Sequence, residues 1–130
     1  MNSRTLFLAR LAGLFVLVFS LAMLVQRGAI ESALYALVAD RAALLVVTIV
    51  GLVGGLAMVL GHNVWSGGPV PVIVTLIGWW LLIKTAVLLL LPAEAVVALF
   101  EGFVGRLYYP VAVIDLAIGL YLTYAGFSRR

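Results

Sequence analysis

The sequence predicts an all-α, polytopic membrane protein in which four transmembrane helices form an antiparallel bundle with two short interfacial helices. Of the 130 residues, 66% are hydrophobic and 10% are charged, whereas soluble domains average about 25% charged residues. Four apolar runs each approach the ~20 residues that cross the hydrocarbon core of a bilayer. These runs use up the length, so residues 1–130 are predicted to form a single transmembrane domain.

The four predicted spans are residues 6–25, 42–61, 70–91 and 107–127. Helices satisfy their own backbone hydrogen bonds, so they are the default in lipid. The roughly ten-residue alternating segments of a membrane β-barrel do not occur in the sequence. Ser20 lies in a stretch that resembles a signal-peptidase site, but the run stays apolar through Val25, and we therefore predict an uncleaved first helix.

The two longer connections carry helical patterns of their own. The first is RGAIESALYALVADR and the second is PAEAVVALFEGFVGR. Apolar side chains follow the spacing of one helical face at Ile30, Leu34, Leu37 and Val38, and again at Val96, Val97, Phe100 and Val104. This pattern predicts short helices that lie at the bilayer surface. The alternative is that both connections extend the neighbouring spans.

Arginine placement predicts the orientation. With four spans, both termini lie on one side of the membrane together with the glycine-rich turn at 67–68. That side carries Arg4, Arg10, Arg129 and Arg130, whereas the opposite side carries Arg27, Arg41 and Arg106. Cytoplasmic segments are enriched in arginine and lysine, so we predict cytoplasmic termini and outward-facing connections.

Composition and motifs argue against several functional classes. The net charge of +3 is scattered and does not form the basic stripe that nucleic acid requires. The chain has no cysteine, and its only histidine, His62, cannot supply a bis-histidine haem or a closed zinc site. No phosphate loop, serine–histidine–acid set or carboxylate pair occurs. We therefore expect no cofactor, metal or nucleic acid, and we favour a non-enzymatic protein.

Two charged residues fall inside the last two spans. Lys84 lies eight residues before Pro92, and Asp115 lies eight residues after Leu107, so each is ~12 Å below the same surface. A short connection predicts that these spans are antiparallel neighbours, and we predict a Lys84–Asp115 ion pair in the membrane. The pair is interpreted either as a strut that sets helix register or as a relay for protons or substrate. If the pair does not form, Lys84 extends towards the surface and Asp115 takes up a proton.

A second group of polar and aromatic residues surrounds the turn GHNVWSGGPVP. His62 and Asn63 end the second span, and with Thr75, Trp79 and Trp80 they form a candidate polar site. The alternative is that Gly61 and Asn63 cap the helix and Trp65 anchors the chain at the interface, while Trp79 and Trp80 fill the core. Trp80 also lies four residues before Lys84, which is the spacing of a cation–π contact on one helix.

Small residues on the second span predict close helix packing. Gly51 and Gly55 form a GxxxG motif, and Gly54 and Gly61 extend the smooth face. In lipid, small residues let helices approach where no hydrophobic drive exists. The partner is either another span or a second protomer.

The run LGHNVWSGGPVPVIVTLIGWWLLIKTAVLLLLP resembles an uncharacterised family of small four-helix bacterial integral membrane proteins. In that family a His-Asn-x-Trp turn is followed by Thr, Gly-Trp and Lys. The matching positions are His62, Asn63, Trp65, Thr75, Gly78, Trp79 and Lys84. The resemblance covers about the central quarter of the chain. It implies a four-helix architecture and a bacterial inner membrane, and it assigns no catalytic role.

These observations favour a small multi-pass membrane protein that works as a subunit, scaffold or assembly partner. Its expected partners are the lipid bilayer and other membrane subunits or a second copy of itself. The alternative is a homo-oligomeric transporter or proton-linked permeation unit that uses Lys84 and Asp115. A membrane enzyme built on His62 is the weakest hypothesis, because nothing nearby in the sequence completes a site.

Overall fold

The computed structural model describes residues 1–128, and throughout that range the chain is all-helical, without strands. Arg129 and Arg130, which contribute to the predicted orientation, lie outside the described residues. The elements in chain order are α1 (Ser3–Val25), α2 (Arg27–Ala39), α3 (Arg41–Gly61), α4 (Pro69–Leu90), α5 (Ala93–Gly102), a π-helical turn (Phe103–Leu107) and α6 (Tyr108–Ser128).

Four helical stretches are long and apolar enough to cross a membrane, which indicates a membrane location. They are α1, α3, α4 and the continuous stretch Ala93–Ser128. The predicted all-α class is confirmed. The helices α1, α3, α4 and α6 correspond to the predicted spans 6–25, 42–61, 70–91 and 107–127.

Local sequence explains where the helices begin. The Asn2 side chain accepts a hydrogen bond from the Thr5 amide at 2.7 Å and caps α1. The Asp40 carboxylate accepts from the Ala43 amide at 3.1 Å and caps α3 in the same way. Before α4 the chain turns at Gly67, whose φ is 90°, and Gly68, whose φ is 109°. Glycine adopts these angles without steric cost.

The two connections differ in how they join the long helices. Breaks at Gln26 and Asp40 separate α2 from α1 and α3, whereas α5 continues through the π-helical turn into α6. The backbone of the second connection is therefore continuous with α6, as in the alternative that this connection extends the neighbouring span. Helices α2 and α5 also contact each other.

Helices α1 and α6 form one closely packed pair. A Cβ built on Gly119 of α6 would stand 2.6 Å from the Leu17 nitrogen, and one built on Gly13 of α1 would stand 2.8 Å from the Thr123 nitrogen. Such distances leave no room for a side chain, so the two backbones touch. Gly13 of α1 lies beside Thr123 of α6, whereas Leu17 of α1 lies beside Gly119 of α6. Residue numbers therefore rise along α1 as they fall along α6, and the pair runs antiparallel.

Helices α3 and α4 form the second closely packed pair. A Cβ on Gly55 would stand 2.7 Å from the Leu82 nitrogen, and one on Gly51 would stand 2.6 Å from Thr85 Cγ2. Gly54 is less tight, since its Cβ would lie 3.7 Å from Leu81. Three of the four glycines predicted for helix packing therefore face α4.

The fourth predicted packing glycine, Gly61, has a different role. A Cβ at Gly61 would meet no heavy atom within 4 Å, so this residue does not bring helices together. Gly61 is instead the last residue of α3, where its carbonyl has no partner within the helix. That carbonyl accepts a hydrogen bond from Arg4 Nη1 at 2.8 Å.

The interior consists of two apolar clusters at opposite ends of α1. Near the termini, Ala9 of α1 packs with Val70 and Val74 of α4 and with Leu122 and Ala125 of α6. At the other end, Met23 packs with Tyr108 and Ala112. The buried Tyr108 hydroxyl donates a hydrogen bond to the Met23 carbonyl at 2.7 Å, which satisfies an acceptor near the C-terminal end of α1.

Candidate functional site

A buried histidine connects three parts of the chain at the end that holds the N-terminus. His62 follows α3 and is 4% exposed, while Thr5 of α1 is 2% exposed and Thr75 of α4 is 1% exposed. Thr5 Oγ1 lies 2.9 Å from His62 Nε2. Thr75 Oγ1 lies 3.1 Å from His62 Nδ1. The imidazole ring therefore bridges two helices that the sequence separates by the whole of α2 and α3.

The hydrogen bonds around His62 indicate which ring nitrogen carries the proton. Thr75 Oγ1 accepts from the Val64 amide at 3.0 Å and lies 2.8 Å from the Val64 carbonyl and 2.9 Å from the Pro71 carbonyl. With a proton on Nδ1, the ring donates to Thr75 Oγ1, the Thr75 hydroxyl donates to a carbonyl, and the Thr5 hydroxyl donates to Nε2. With the proton on Nε2, the Thr5 hydroxyl finds no acceptor within residues 1–128. The Nδ1–H tautomer therefore satisfies every group.

Asn63 organises the surface next to this histidine. Its side-chain oxygen accepts a hydrogen bond from Trp65 Nε1 at 2.7 Å and another from Trp79 Nε1 at 3.3 Å. One amide oxygen thus holds two indole rings, and Trp79 of α4 is tied to the loop that precedes it. Four of the five predicted polar-site residues lie here, in two adjacent groups: His62 with Thr75, and Asn63 with Trp79.

Trp80, the fifth predicted member, does not belong to the site. Its side chain is 65% exposed and lies on the outward side of α4. The cation–π contacts of residues 1–128 involve Arg10 and Arg27, so the predicted contact between Trp80 and Lys84 is not formed. Trp80 therefore covers an outer surface of α4.

Two arginines of α1 bind the C-terminal ends of other helices near the same site. Arg4 donates to the Gly61 carbonyl at the end of α3. Arg10 Nε donates to the Gly126 carbonyl near the end of α6 at 2.7 Å, and its guanidinium lies 5.0 Å from the centre of the Phe127 ring. Cations at helix C-termini complement the helix dipole and satisfy free carbonyls. Together with His62, these contacts join α1 to each of the other long helices.

The groups that contact His62 define the chemistry of this site. The partners of His62 are hydroxyl groups, and no carboxylate is among them. Within the described chain, no group of three or more histidine, aspartate or glutamate side chains is arranged to hold a metal ion. The site provides hydrogen bonds that position helices.

The predicted ion pair between Lys84 and Asp115 is not formed. Across residues 1–128 the one salt bridge joins Arg27 to Glu31 at 3.5 Å. The physical reason is the helix pairing: α4 packs mainly on α3, and α6 packs mainly on α1, so the last two spans are not direct neighbours along their lengths. The two charges still lie near enough to interact electrostatically.

Lys84 and Asp115 lie on α4 and α6, two helices that make few contacts with each other. Ile77 and Ile118 pack against the apolar cluster near the termini. Lys84 lies two turns beyond Ile77 on the same helical face, and Asp115 lies one turn before Ile118. Lys84 is nevertheless exposed, and Asp115 is partly exposed. We use the name α4–α6 opening for the surface formed by Lys84 and Asp115, which other parts of residues 1–128 leave partly uncovered.

Sequence reasoning missed Thr5, Trp65, Arg4 and Arg10 as parts of the site. Trp65 stood two residues from Asn63 and was interpreted only as an interfacial anchor. The other three lie on α1, far from the turn in sequence. A signal for Arg4 and Arg10 existed, because arginines that begin a span lie at the same depth as the C-terminal ends of α3 and α6.

Comparison of the chain with protein-family models, with curated protein sequences and with solved structures finds no match.

Proposed function

We propose that this protein is a non-enzymatic subunit or assembly partner of a membrane complex, and that it works by helix packing. In this proposal the four long helices cross a bacterial inner membrane as an antiparallel bundle. Helices α2 and α5 lie at the outer surface, and both termini are cytoplasmic. The resemblance around His62 and the arginine distribution support the location and the orientation.

One observation carries the proposal: the α4–α6 opening leaves two charges uncovered within helices of membrane-spanning length. Lys84 is exposed although it lies six residues, or ~9 Å, from the end of α4. A lysine or an aspartate near a helix centre costs about 2.5–3.5 kcal/mol on insertion scales. A partner that covers the opening with polar groups would remove that cost, so the opening is proposed as the contact surface.

The contacts around His62 also support a packing role. His62, Arg4 and Arg10 connect the long helices at the opposite end from the opening. They hold the two closely packed pairs together there. A scaffold of this kind presents the surface around Lys84 and Asp115 to another membrane helix.

The test is purification in mild detergent from native membranes, with mass spectrometry of the proteins that are retained. We expect a specific membrane protein to co-purify with the wild type. Its recovery should fall when Lys84→Met removes the charge, whereas the matched control Arg106→Gln should leave recovery unchanged, because exposed Arg106 lies in the π-helical turn outside the opening. A wild type that purifies alone as a monomer would overturn the proposal.

A homo-oligomeric transporter is a second candidate, and the opening also favours it. Two opposite charges within helices of membrane-spanning length are suited to guide an ion or a proton through a membrane. In that case Lys84→Met and Asp115→Asn should each abolish flux in proteoliposomes while the purified protein remains folded. No dependence of flux on either residue would exclude this candidate.

A further inference from the structure

We propose that the protein binds one phospholipid in a cavity between the start of α3 and the end of α4, with an acyl chain inside and the phosphate on Arg41. The cavity has a volume of about 320 Å³. Leu44 and Leu45 of α3 and Leu89 of α4 contribute to its walls, and Val96 of α5 completes them. The site is separate from the α4–α6 opening and goes beyond the packing role proposed above.

The lining determines what can fill this cavity. Its walls are mostly leucine, valine, proline and alanine side chains. A buried water needs two to four polar partners, whereas Arg41 and Thr48 are the polar residues of this lining and the Thr48 hydroxyl already donates to the Leu44 carbonyl. The volume lies at the lower end of the ~300–1,000 Å³ of typical ligand cavities. An extended hydrocarbon chain has the shape and chemistry to occupy it, and a bilayer supplies such chains at high concentration.

Arg41 supplies the second half of the recognition. It is the first residue of α3, it lines the same cavity and it is exposed. The salt bridge of residues 1–128 is formed by Arg27 and Glu31, so Arg41 has no ion-pair partner in the part of the chain that is described. The neighbouring Asp40 carboxylate accepts from the Ala43 amide and serves as the helix cap.

The arrangement of cation and cavity matches the chemistry of a phospholipid. A guanidinium group binds phosphate through two parallel hydrogen bonds. In a phospholipid the phosphate lies directly above the acyl chains, and here a free arginine at a helix start lies beside an apolar cavity that runs along that helix. The start of α3 and the end of α4 are also where these helices leave the hydrocarbon region, which is the depth of the headgroups.

The experiment uses the full chain reconstituted in phosphatidylcholine bilayers with a trace of phosphatidylglycerol that carries a spin label on its acyl chain. Electron paramagnetic resonance then measures the fraction of immobilised label. Two variants remove the two halves of the site: Arg41→Gln removes the cation, and Ala93→Leu fills the cavity, since Ala93 lines it. The matched controls are Arg106→Gln and Ala98→Leu, whose exposed residues lie outside the cavity.

We expect an immobilised population in the wild type and in both controls. Arg41→Gln should weaken it by about tenfold, because a charge-assisted hydrogen bond is lost, and Ala93→Leu should remove it. Equal immobilisation in all five proteins would overturn the proposal. A second result would also overturn the proposal: if two copies of a Leu89→Cys variant form a disulfide in the membrane, a protein surface covers the cavity in place of a lipid.

Discussion

Thr5 Oγ1 and His62 Nε2 lie 2.9 Å apart and join the first turn of α1 to the residue that follows α3. Both side chains are buried, and in the Nδ1–H tautomer of His62 the Thr5 hydroxyl donates. This contact, with the Thr75 contact on the other side of the ring, fixes three helices at one end of the molecule. The arrangement explains why a single histidine is kept inside an otherwise apolar protein.

Replacement of Thr5 by valine should destabilise the protein by about 1–3 kcal/mol, because His62 Nε2 would remain buried without a donor. Thr123→Val is a matched control, since the Thr123 hydroxyl is buried and has no hydrogen-bond partner. We expect the control to be neutral or slightly stabilising. The measurement is the free energy of unfolding by SDS titration in mixed micelles. Equal effects of the two substitutions would contradict the role assigned to His62.

The tautomer of His62 can be measured directly, because it is the only histidine in the chain. Nitrogen NMR of protein labelled in histidine alone should show one imidazole with a protonated Nδ1 and an unprotonated Nε2. Thr75→Val should shift the Nδ1 resonance, whereas Thr123→Val should not. A protonated Nε2 in the wild type would show that Thr5 accepts, and the hydrogen-bond assignment would have to be reversed.

Close packing of α1 on α6 depends on Gly119. Gly119→Ala places a Cβ 2.6 Å from the Leu17 nitrogen, so the two helices must separate. We expect a loss of about 1–3 kcal/mol, the usual cost of overpacking. Gly28→Ala in the first turn of α2 is the control: a Cβ there meets nothing within 4 Å, and alanine, the better helix former, should leave stability equal or raise it by less than about 1 kcal/mol. If both alanines act alike in SDS titration, the α1–α6 contact is not as tight as described.

The class of fold and the positions of the helices could be predicted from the sequence, because hydropathy and span length decide them. The sequence does not predict which helices pack against each other. Every long helix is apolar on most faces, so no stripe identifies its neighbour, and the prediction that consecutive spans pack together failed for α4 and α6. The chain between them forms α5 and the π-helical turn, which let α6 reach α1.

Because the sequence does not predict helix pairing, it identifies the residues of the site that lie close together in the chain and misses Thr5. His62, Asn63, Thr75 and Trp79 lie within 18 residues of one another, so helical spacing and one turn were enough to group them. Thr5 is 57 residues from His62. Its role depends on which helix lies beside the end of α3, and periodicity carries no information on that.

Removal of the Lys84 charge should have opposite effects on the isolated chain and on the complex. Lys84 has no ion-pair partner within residues 1–128 and is exposed, so Lys84→Met replaces a charge that is unfavourable in lipid with an apolar side chain of similar length. In micelles we expect stability to stay equal or to rise by up to about 1 kcal/mol, since extension towards the surface already relieves part of the cost. In native membranes the same variant should lose its partner.

If Lys84 and Asp115 form a buried ion pair, Lys84→Met should instead lower the stability in micelles. The substitution would then leave the Asp115 charge uncompensated, which costs about 3–5 kcal/mol. The sign of the change in the free energy of unfolding therefore distinguishes an internal Lys84–Asp115 ion pair from an exposed surface that binds another protein.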